Sequence, residues 1–334
     1  MLLNPIQSLR YIDLFCGIGG FRIATETACQ NYNIKPVCVF SSDWDLDAQK
    51  TYRANFNDSP QGDLTKIPVQ TIPKHDLLLA GFPCQPFSIC GKLNGFEDIR
   101  GTAFFDIARI LDYHQPEALI LENVKQLVGH QKGKTLQVIL EVLKNLGYHV
   151  EYKVLNALYF GLPQKRERVF IVGFRQSMRF QWKFPYLEMK PLSNILEKDV
   201  PPNYYASERI QKNRLVKYTG KKSDEPTIWH ENKAGHISAY PYSCAIRAGA
   251  SYNYLLVDGK RRLTEREMLR LQGFPDWFQV VCSYSAMGKL VGNSVAIPCV
   301  QAVLECLLYA LINPSLNETE EEYTQLSLFD KNVN

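Results

Sequence analysis

Paired cysteines, a dinucleotide-binding glycine triplet and internal repeats are all missing from this 334-residue chain. Each absence narrows its function. Nine cysteines, an odd number without C-x-x-C spacing, argue against a disulfide framework and a zinc site, and no metal is expected. Met1-Leu2-Leu3-Asn4-Pro5 lacks the basic start and long apolar core of a signal peptide, so a cytoplasmic location is expected. The longest apolar stretch, Val295 to Ile312, carries Gln301 and Glu305 and follows a turn. It predicts a buried core helix rather than a membrane span. Hydrophobic content of 46% with 22% charged residues is that of a globular protein.

The net charge of +4 conceals an asymmetry. Between Arg175 and Arg262 stand 16 Lys or Arg against 8 Asp or Glu, whereas the tail from Asn313 holds five acids against Lys331 alone. The basic segment also carries Tyr204, Tyr205, Tyr218, Trp229, Tyr240, Tyr242, Tyr252 and Tyr254. Cations interleaved with aromatics suit a nucleic-acid surface, although a solvated basic face has the same composition.

Apolar runs at 10–15, 36–42, 76–80, 117–122, 149–155 and 168–174 read as strands, and helical stripes separate most of them. That rhythm predicts an α/β fold with a largely parallel sheet covered on both faces. After about residue 186 it breaks: Pro191, Pro201, Pro202, Pro226 and Pro241 punctuate short polar pieces. Regularity returns at Gly292-Asn293-Ser294-Val295, which opens the apolar helix to Ile312. The expectation is a discontinuous large domain, 1–186 plus 290–334, with a smaller strand-and-loop domain, 187–289, inserted and a mobile tail from about 314.

Two strand ends carry chemistry. Gly81-Phe82-Pro83-Cys84-Gln85-Pro86-Phe87-Ser88 follows one strand, and its two prolines hold the cysteine on a defined turn. Leu121-Glu122-Asn123-Val124 closes another. Together they suggest a cysteine nucleophile facing a carboxyl acid across one pocket, at the sheet edge where ligands collect. A third junction, Asp13-Leu14-Phe15-Cys16-Gly17-Ile18-Gly19-Gly20-Phe21, lets backbone approach a ligand, yet Arg22 interrupts G-x-G-x-x-G. Asp43 could accept from ribose hydroxyls, Trp44 could cover an adenine face, and Asp63, followed by Leu64, could reach the adenine amino group. The order points to an adenosine-bearing ligand without pyrophosphate, such as S-adenosylmethionine.

These blocks, with Gln164-Lys165-Arg166-Glu167-Arg168, Arg266–Pro275 and Gly292–Val295, resemble the DNA (cytosine-5) methyltransferases, especially the compact bacterial modification enzymes of the HhaI type. The likeness covers about 9–174 and 263–312. It implies a Rossmann-like S-adenosylmethionine-dependent methyltransferase domain, an inserted target-recognition domain at 187–289, and duplex DNA held between them. It implies that Cys84, as thiolate, adds to C6 of a flipped-out cytosine, that Glu122 serves N3, and that Arg168, with Arg166, contacts O2. S-adenosylhomocysteine is the product. Asp13, Phe15, Gly17, Ile18, Gly19, Gly20, Asp43, Trp44, Asp63, Leu64, Pro83, Ala103, Asn293, Ser294 and Val295 are the expected cofactor-binding positions.

For DNA, the resemblance points to a flap from Ser88 to Gly101 with Lys92 and Arg100 for phosphates. Gln85 would fill the vacated space, and Cys90 stands where the HhaI-type enzyme has serine. Lys165 is a further DNA contact. Arg247 is the leading candidate for reading guanine, with Tyr242 and Ser243 behind it. One recognition segment suggests one short target sequence, which a monomer can methylate one strand at a time. The resemblance allows a cognate restriction endonuclease acting separately, and the sequence leaves that partner open. A tRNA cytosine-5 methyltransferase, using the same active site, is the alternative reading, and a catalytically inactive DNA-binding module is a second.

Overall fold

The structure is a computed structural model that describes residues 6–83, 102–221, 223–232 and 234–313. The expected mobile tail lies outside them. Six strands build the main sheet: β1 (Ser8–Leu14), β2 (Lys35–Ser42), β3 (Leu77–Gly81), β4 (Ala118–Val124), β5 (His149–Asn156) and, after the two-residue β6 (Gln164–Lys165), β7 (Glu167–Phe174). Their order is β2-β1-β3-β4-β7-β5. The first three contacts are parallel, while β7 runs antiparallel to both of its neighbours. Five strands therefore share one direction and β7 alone opposes them.

Helices cover both faces because β1, β3 and β4 are apolar on both. Tyr11, Leu77, Leu79 and Ile120 point to one face, beside Phe21, Ala24 and Ala28 of α1 (Gly20–Asn31). Ile12, Leu78, Ala80, Leu119 and Leu121 point to the other. Strand periodicity of two delivers one set to each layer. The second face is closed, past α2 (Leu46–Phe56), by α3 (Ala103–His114) and, after the short α4 (Gln126–Gly129), by α5 (Lys134–Asn145).

The middle of the chain forms α6 (Glu208–Lys217) and a small antiparallel sheet of β8 (Ile228–Glu231), β9 (Ile237–Tyr240) and, beyond β10 (Ser243–Cys244), β11 (Leu255–Val257). β10 pairs in parallel with β6, which fastens this region to the approach of β7. Then come α7 (Glu265–Leu271), α8 (Tyr284–Asn293) and α9 (Ile297–Ile312). As expected, α9 is a buried core helix: Val300, Val303 and Leu307 are fully enclosed, and Glu305 Oε1 accepts 2.8 Å from Asn31 Nδ2 of α1. Pro298 falls in its first turn, where its missing N–H does no harm.

The region between 187 and 291 holds more helix than its sequence suggested. The turn to regularity expected at Gly292 comes earlier, and the boundary drawn at 289–290 falls inside α8. Met268, Leu269, Met287, Leu290 and Val291 of α7 and α8 belong to the same core as α1 and α9. The reasons are local. α7 spans only seven residues, and α6 buries Arg214 alone, so neither shows an apolar stripe. α7 is instead specified by its start, where Thr264 and Glu267 form a reciprocal capping box. Glu267, wholly buried, also accepts from both terminal nitrogens, Nη1 and Nη2, of Arg261 at 2.8 Å.

Candidate active site

The carboxyl ends of β1, β2, β3 and β4 open into one cleft of about 1080 Å³. Its walls are completed by the start of α3, the end of α8, Arg166 and Arg168. Strand ends at a crevice of an open sheet are where such folds place ligands.

One half of the cleft is built around Asp43. Gly17 N donates to Asp43 Oδ2 and Asp45 N to Oδ1, at 2.8 and 2.9 Å. Burial raises the Asp43 carboxyl above its ordinary range, and these two amide bonds oppose the rise. Gly17 adopts φ +54°, and a Cβ there would meet nothing within 4 Å, so its backbone is open to a ligand. Trp44 is 70% exposed on the rim. Asp63 caps the turn that follows it, accepting from Thr65 N and Oγ1 at 3.1 and 2.7 Å. Phe15, Gly17, Asp43, Trp44, Asp63, Leu64, Pro83, Ala103 and Asn293 all line this cleft.

The remaining expected cofactor positions stand behind the wall. A Cβ on Gly19 (φ +83°) would lie 2.2 Å from the Phe56 ring, and one on Gly20 would lie 2.7 Å from Val295 Cγ2 and 3.0 Å from Ser294 Oγ. These glycines let α1 pack closely against α2 and the 294–295 segment, whereas Gly17 lines the cleft. Ile18, Ser294 and Val295 are buried in the same packing. Asp13 is fully enclosed, and neither carboxylate oxygen has a hydrogen-bond partner among the described residues. Desolvation pushes its carboxyl well above the ordinary range.

The other half of the cleft holds Glu122, 7% exposed at the end of β4. Arg168 Nε lies 3.1 Å from Glu122 Oε1 as an ion contact without hydrogen-bond alignment. Arg168 Nη1 donates to Glu167 O, leaving Nη2 without a partner among the described residues. Burial raises the Glu122 carboxyl, and Arg168 and Arg166 pull it back. Arg166 is otherwise occupied: Nη1 donates to Ile246 O at 3.3 Å, and Nη2 to Gly292 O at 3.2 Å and to Ser294 O. A guanidinium gripping three carbonyls is a strut between segments, which leaves Arg168 as the arginine in ion contact with Glu122.

Cys84 lies outside the described residues, as do Gln85, Ser88, Cys90, Lys92 and Arg100. The chain reaches that segment from a fixed direction. Gly81 pairs in register with Glu122, Phe82 O accepts from Asn123 Nδ2 at 2.9 Å, and Pro83 lines the cleft. One peptide bond thus separates Cys84 from the pocket wall that holds Glu122.

A family model for C-5 cytosine-specific DNA methylases matches residues 9–308. The chain belongs to that family. The methylase is 54% identical over 294 residues to the type II methyltransferase M.NgoBI of Neisseria gonorrhoeae, covering 87% of this chain and 90% of that protein. It is 50% identical over 330 residues to the type II methyltransferase M.HaeII of Haemophilus aegyptius, covering 97% and 100%. Among solved structures, the Dnmt2 methyltransferase of S. pombe shares the fold, with a TM-score of 0.68 at 22% identity over 91% of this chain and 99% of that one. The methylase is accordingly a DNA cytosine-5 methyltransferase.

The expected DNA contacts of the methylase separate into exposed and enclosed. Lys165 is exposed, and Tyr242 is half-buried and stacked on Tyr240 at 5.1 Å. Arg247 is exposed, its guanidinium 4.9 Å above the Tyr254 ring. Ser243 is not available: it is wholly buried in the β10–β6 ladder, and its hydroxyl donates to Cys244 O at 2.7 Å. Three residues that the sequence did not single out shape the cleft. Arg109 holds the 64–67 turn through Leu64 O and Ile67 O, Asn123 fixes Phe82, and Lys289 of α8 reaches Asp45. Each acts across more than 40 residues of sequence, so no local pattern marks them. Among the described residues no group of three or more His, Cys, Asp or Glu could hold a metal ion.

Proposed function

We propose that this methylase modifies C5 of a flipped-out cytosine within one short duplex sequence, as the modification enzyme of a restriction–modification system. The observation that carries the reading is a single cleft running from Asp43 and Trp44 to Glu122 and Arg168, with Pro83 on its wall. A cofactor half and an acid half share one space, and Pro83, next to Cys84 in sequence, stands on its wall. Both relatives above are named type II methyltransferases, which favours DNA over the tRNA alternative.

The cofactor half fits S-adenosylmethionine. Asp43 would accept from the ribose hydroxyls, Trp44 would cover the adenine, and the open Gly17 backbone would take the amino-acid end. Bound there, S-adenosylmethionine supplies an electrophilic methyl group. Cytosine C5 is a poor nucleophile, so the ring must lose its aromaticity first. Cys84 thiolate would add to C6 while the buried Glu122 carboxyl gives or holds a proton at N3, making C5 enamine-like. Arg168 Nη2, free of other partners among the described residues, would hold O2. Loss of the C5 proton to solvent and departure of the sulfur would restore the ring.

A stacked base is shielded, so the target must leave the helix, at a cost of about a few kcal/mol offset by backbone contacts. The region 187–289, with Arg247 and Tyr242 on its surface, would read the sequence, and the protein would act as a monomer on one strand at a time. Bisulfite sequencing of DNA from cells expressing the chain tests the reading. It predicts protected cytosines at one short motif; unprotected DNA alongside methylated tRNA would replace it with the RNA alternative.

A further inference from the structure

The rim of the cleft beside Trp44 is closed by residues from opposite ends of the chain. Asp45 caps α2 with Oδ1, accepting from Asp47 N at 2.9 Å and Ala48 N at 3.4 Å. Its other oxygen, Oδ2, stands 2.6 Å from Lys289 Nζ of α8. The same ammonium lies 5.7 Å from the centre of the Trp44 ring. Trp44 has no hydrogen bond and no ring pair among the described residues, and Lys289 is the cation over its ring there. Trp44, Asp45, Lys289 and, one helical turn further on, Asn293 all line the cleft.

We propose that Asp45 and Lys289 form a clasp that positions the Trp44 indole over the adenosyl group, making Lys289 a positioning residue for cofactor affinity. The proposal rests on S-adenosylmethionine occupying this half of the cleft. Lys289 and Asp45 keep 49% and 15% of their side-chain surface exposed. An ion pair this open contributes little to folding by itself. Its effect is to restrict an otherwise loosely held ring: the carboxylate anchors the ammonium, and the ammonium holds the face of the indole. The pair also ties α2 to α8.

The test is calorimetric titration of the full chain with S-adenosylhomocysteine, beside initial rates on duplex DNA. Lys289→Ala is expected to weaken binding by about three- to tenfold. Asp45→Asn, which keeps the α2 cap and removes the charge, is expected to match it. Lys289→Arg is expected to restore affinity to within about twofold of wild type, because the charge remains. The KM for S-adenosylmethionine should rise with the dissociation constant while kcat at saturation changes by less than about twofold, as loss of uniform binding requires. In a Trp44→Ala background, Lys289→Ala should add nothing. Unchanged binding by Lys289→Ala, or an equal loss with Trp44 absent, would overturn the clasp while leaving the cofactor site intact. Failure of the wild-type chain to bind S-adenosylhomocysteine would overturn the site assignment and the clasp together.

Discussion

Arg168 Nε and Glu122 Oε1 meet at 3.1 Å on a diagonal across antiparallel β7 and β4, where Arg168 pairs in register with Val124. The antiparallel strand is what makes this possible. A parallel neighbour would carry its own carboxyl end to the cleft, whereas β7 brings its first residues, and with them the Gln164–Arg168 block, to the same edge. The carboxyl and the cation are thus supplied by strands running in opposite directions.

Replacing Glu122 by Gln keeps the shape and removes the titrating proton. We expect kcat to fall by about 10²- to 10⁴-fold, the usual range for a positioned acid–base group. The wild-type carboxyl is raised by burial, so its protonated form persists above the ordinary carboxylate range and is lost as pH rises through the raised pKa. The wild-type rate should carry that alkaline limb, and the residual rate of Glu122→Gln should lack it. Single-turnover rates across pH decide the matter; a common limb in both proteins would assign the titration elsewhere.

Among the described residues, Asp43 is the one carboxylate at the cofactor half whose two oxygens are both set by backbone amides. Asp43→Ala removes the proposed ribose acceptor and frees Gly17 N. The expected loss in S-adenosylhomocysteine affinity is about ten- to a hundredfold, the range for hydrogen bonds to a charged group. Calorimetric titration measures it, and a loss below twofold would contradict the assignment.

Neighbouring glycines should respond differently to the same change. Gly19→Ala places a methyl against the Phe56 ring in a left-handed conformation, and should cost about 2–4 kcal/mol of stability. Gly17→Ala meets only the conformational term, about 1–2 kcal/mol, but puts the methyl in the cleft. Denaturant unfolding should rank Gly19→Ala as the less stable, and S-adenosylhomocysteine binding should be the larger defect in Gly17→Ala.

Most of the architecture was legible because it is written in local period. The strand runs at 76–80 and 117–122 are buried on both faces and could form little else, and Val295–Ile312 needed a core. The site was legible as sequence blocks because those holding Asp13, Gly81 and Glu122 sit at the ends of β1, β3 and β4. What escaped was set by contacts distant in sequence. Nothing near Gly19 or Gly20 announces that Phe56 and Val295 will fill the space beside them. Nothing in Gln164–Arg168 shows that Arg166 will grip Ile246, Gly292 and Ser294 while Arg168 turns to Glu122. Ser243 looked available because its neighbours are polar and aromatic, yet a two-residue ladder to Gln164 encloses it.

Asp13 offers a test of buried charge apart from catalysis. Its folded-state carboxyl is raised by desolvation, so the stability it contributes is full below the ordinary value of 3.8 and is lost as pH rises through the folded pKa. Asp13→Asn cannot ionise. The variant should therefore gain stability relative to wild type as pH rises above 4, with the gap closing towards pH 4. Paired urea unfolding curves at several pH values measure this; a gap that widens on acidification would show that Asp13 is ionised and paired.

The central claim is a sulfur–carbon bond between the chain and its target base. The most direct measurement is peptide mapping by mass spectrometry after incubation with S-adenosylmethionine and duplex DNA carrying 5-fluorocytosine at the methylated position, where fluorine cannot leave as the proton does. The account predicts a denaturant-stable adduct on the peptide holding Cys84, absent from Cys84→Ala. An adduct on another residue, or methylation of ordinary DNA by Cys84→Ala, would contradict it.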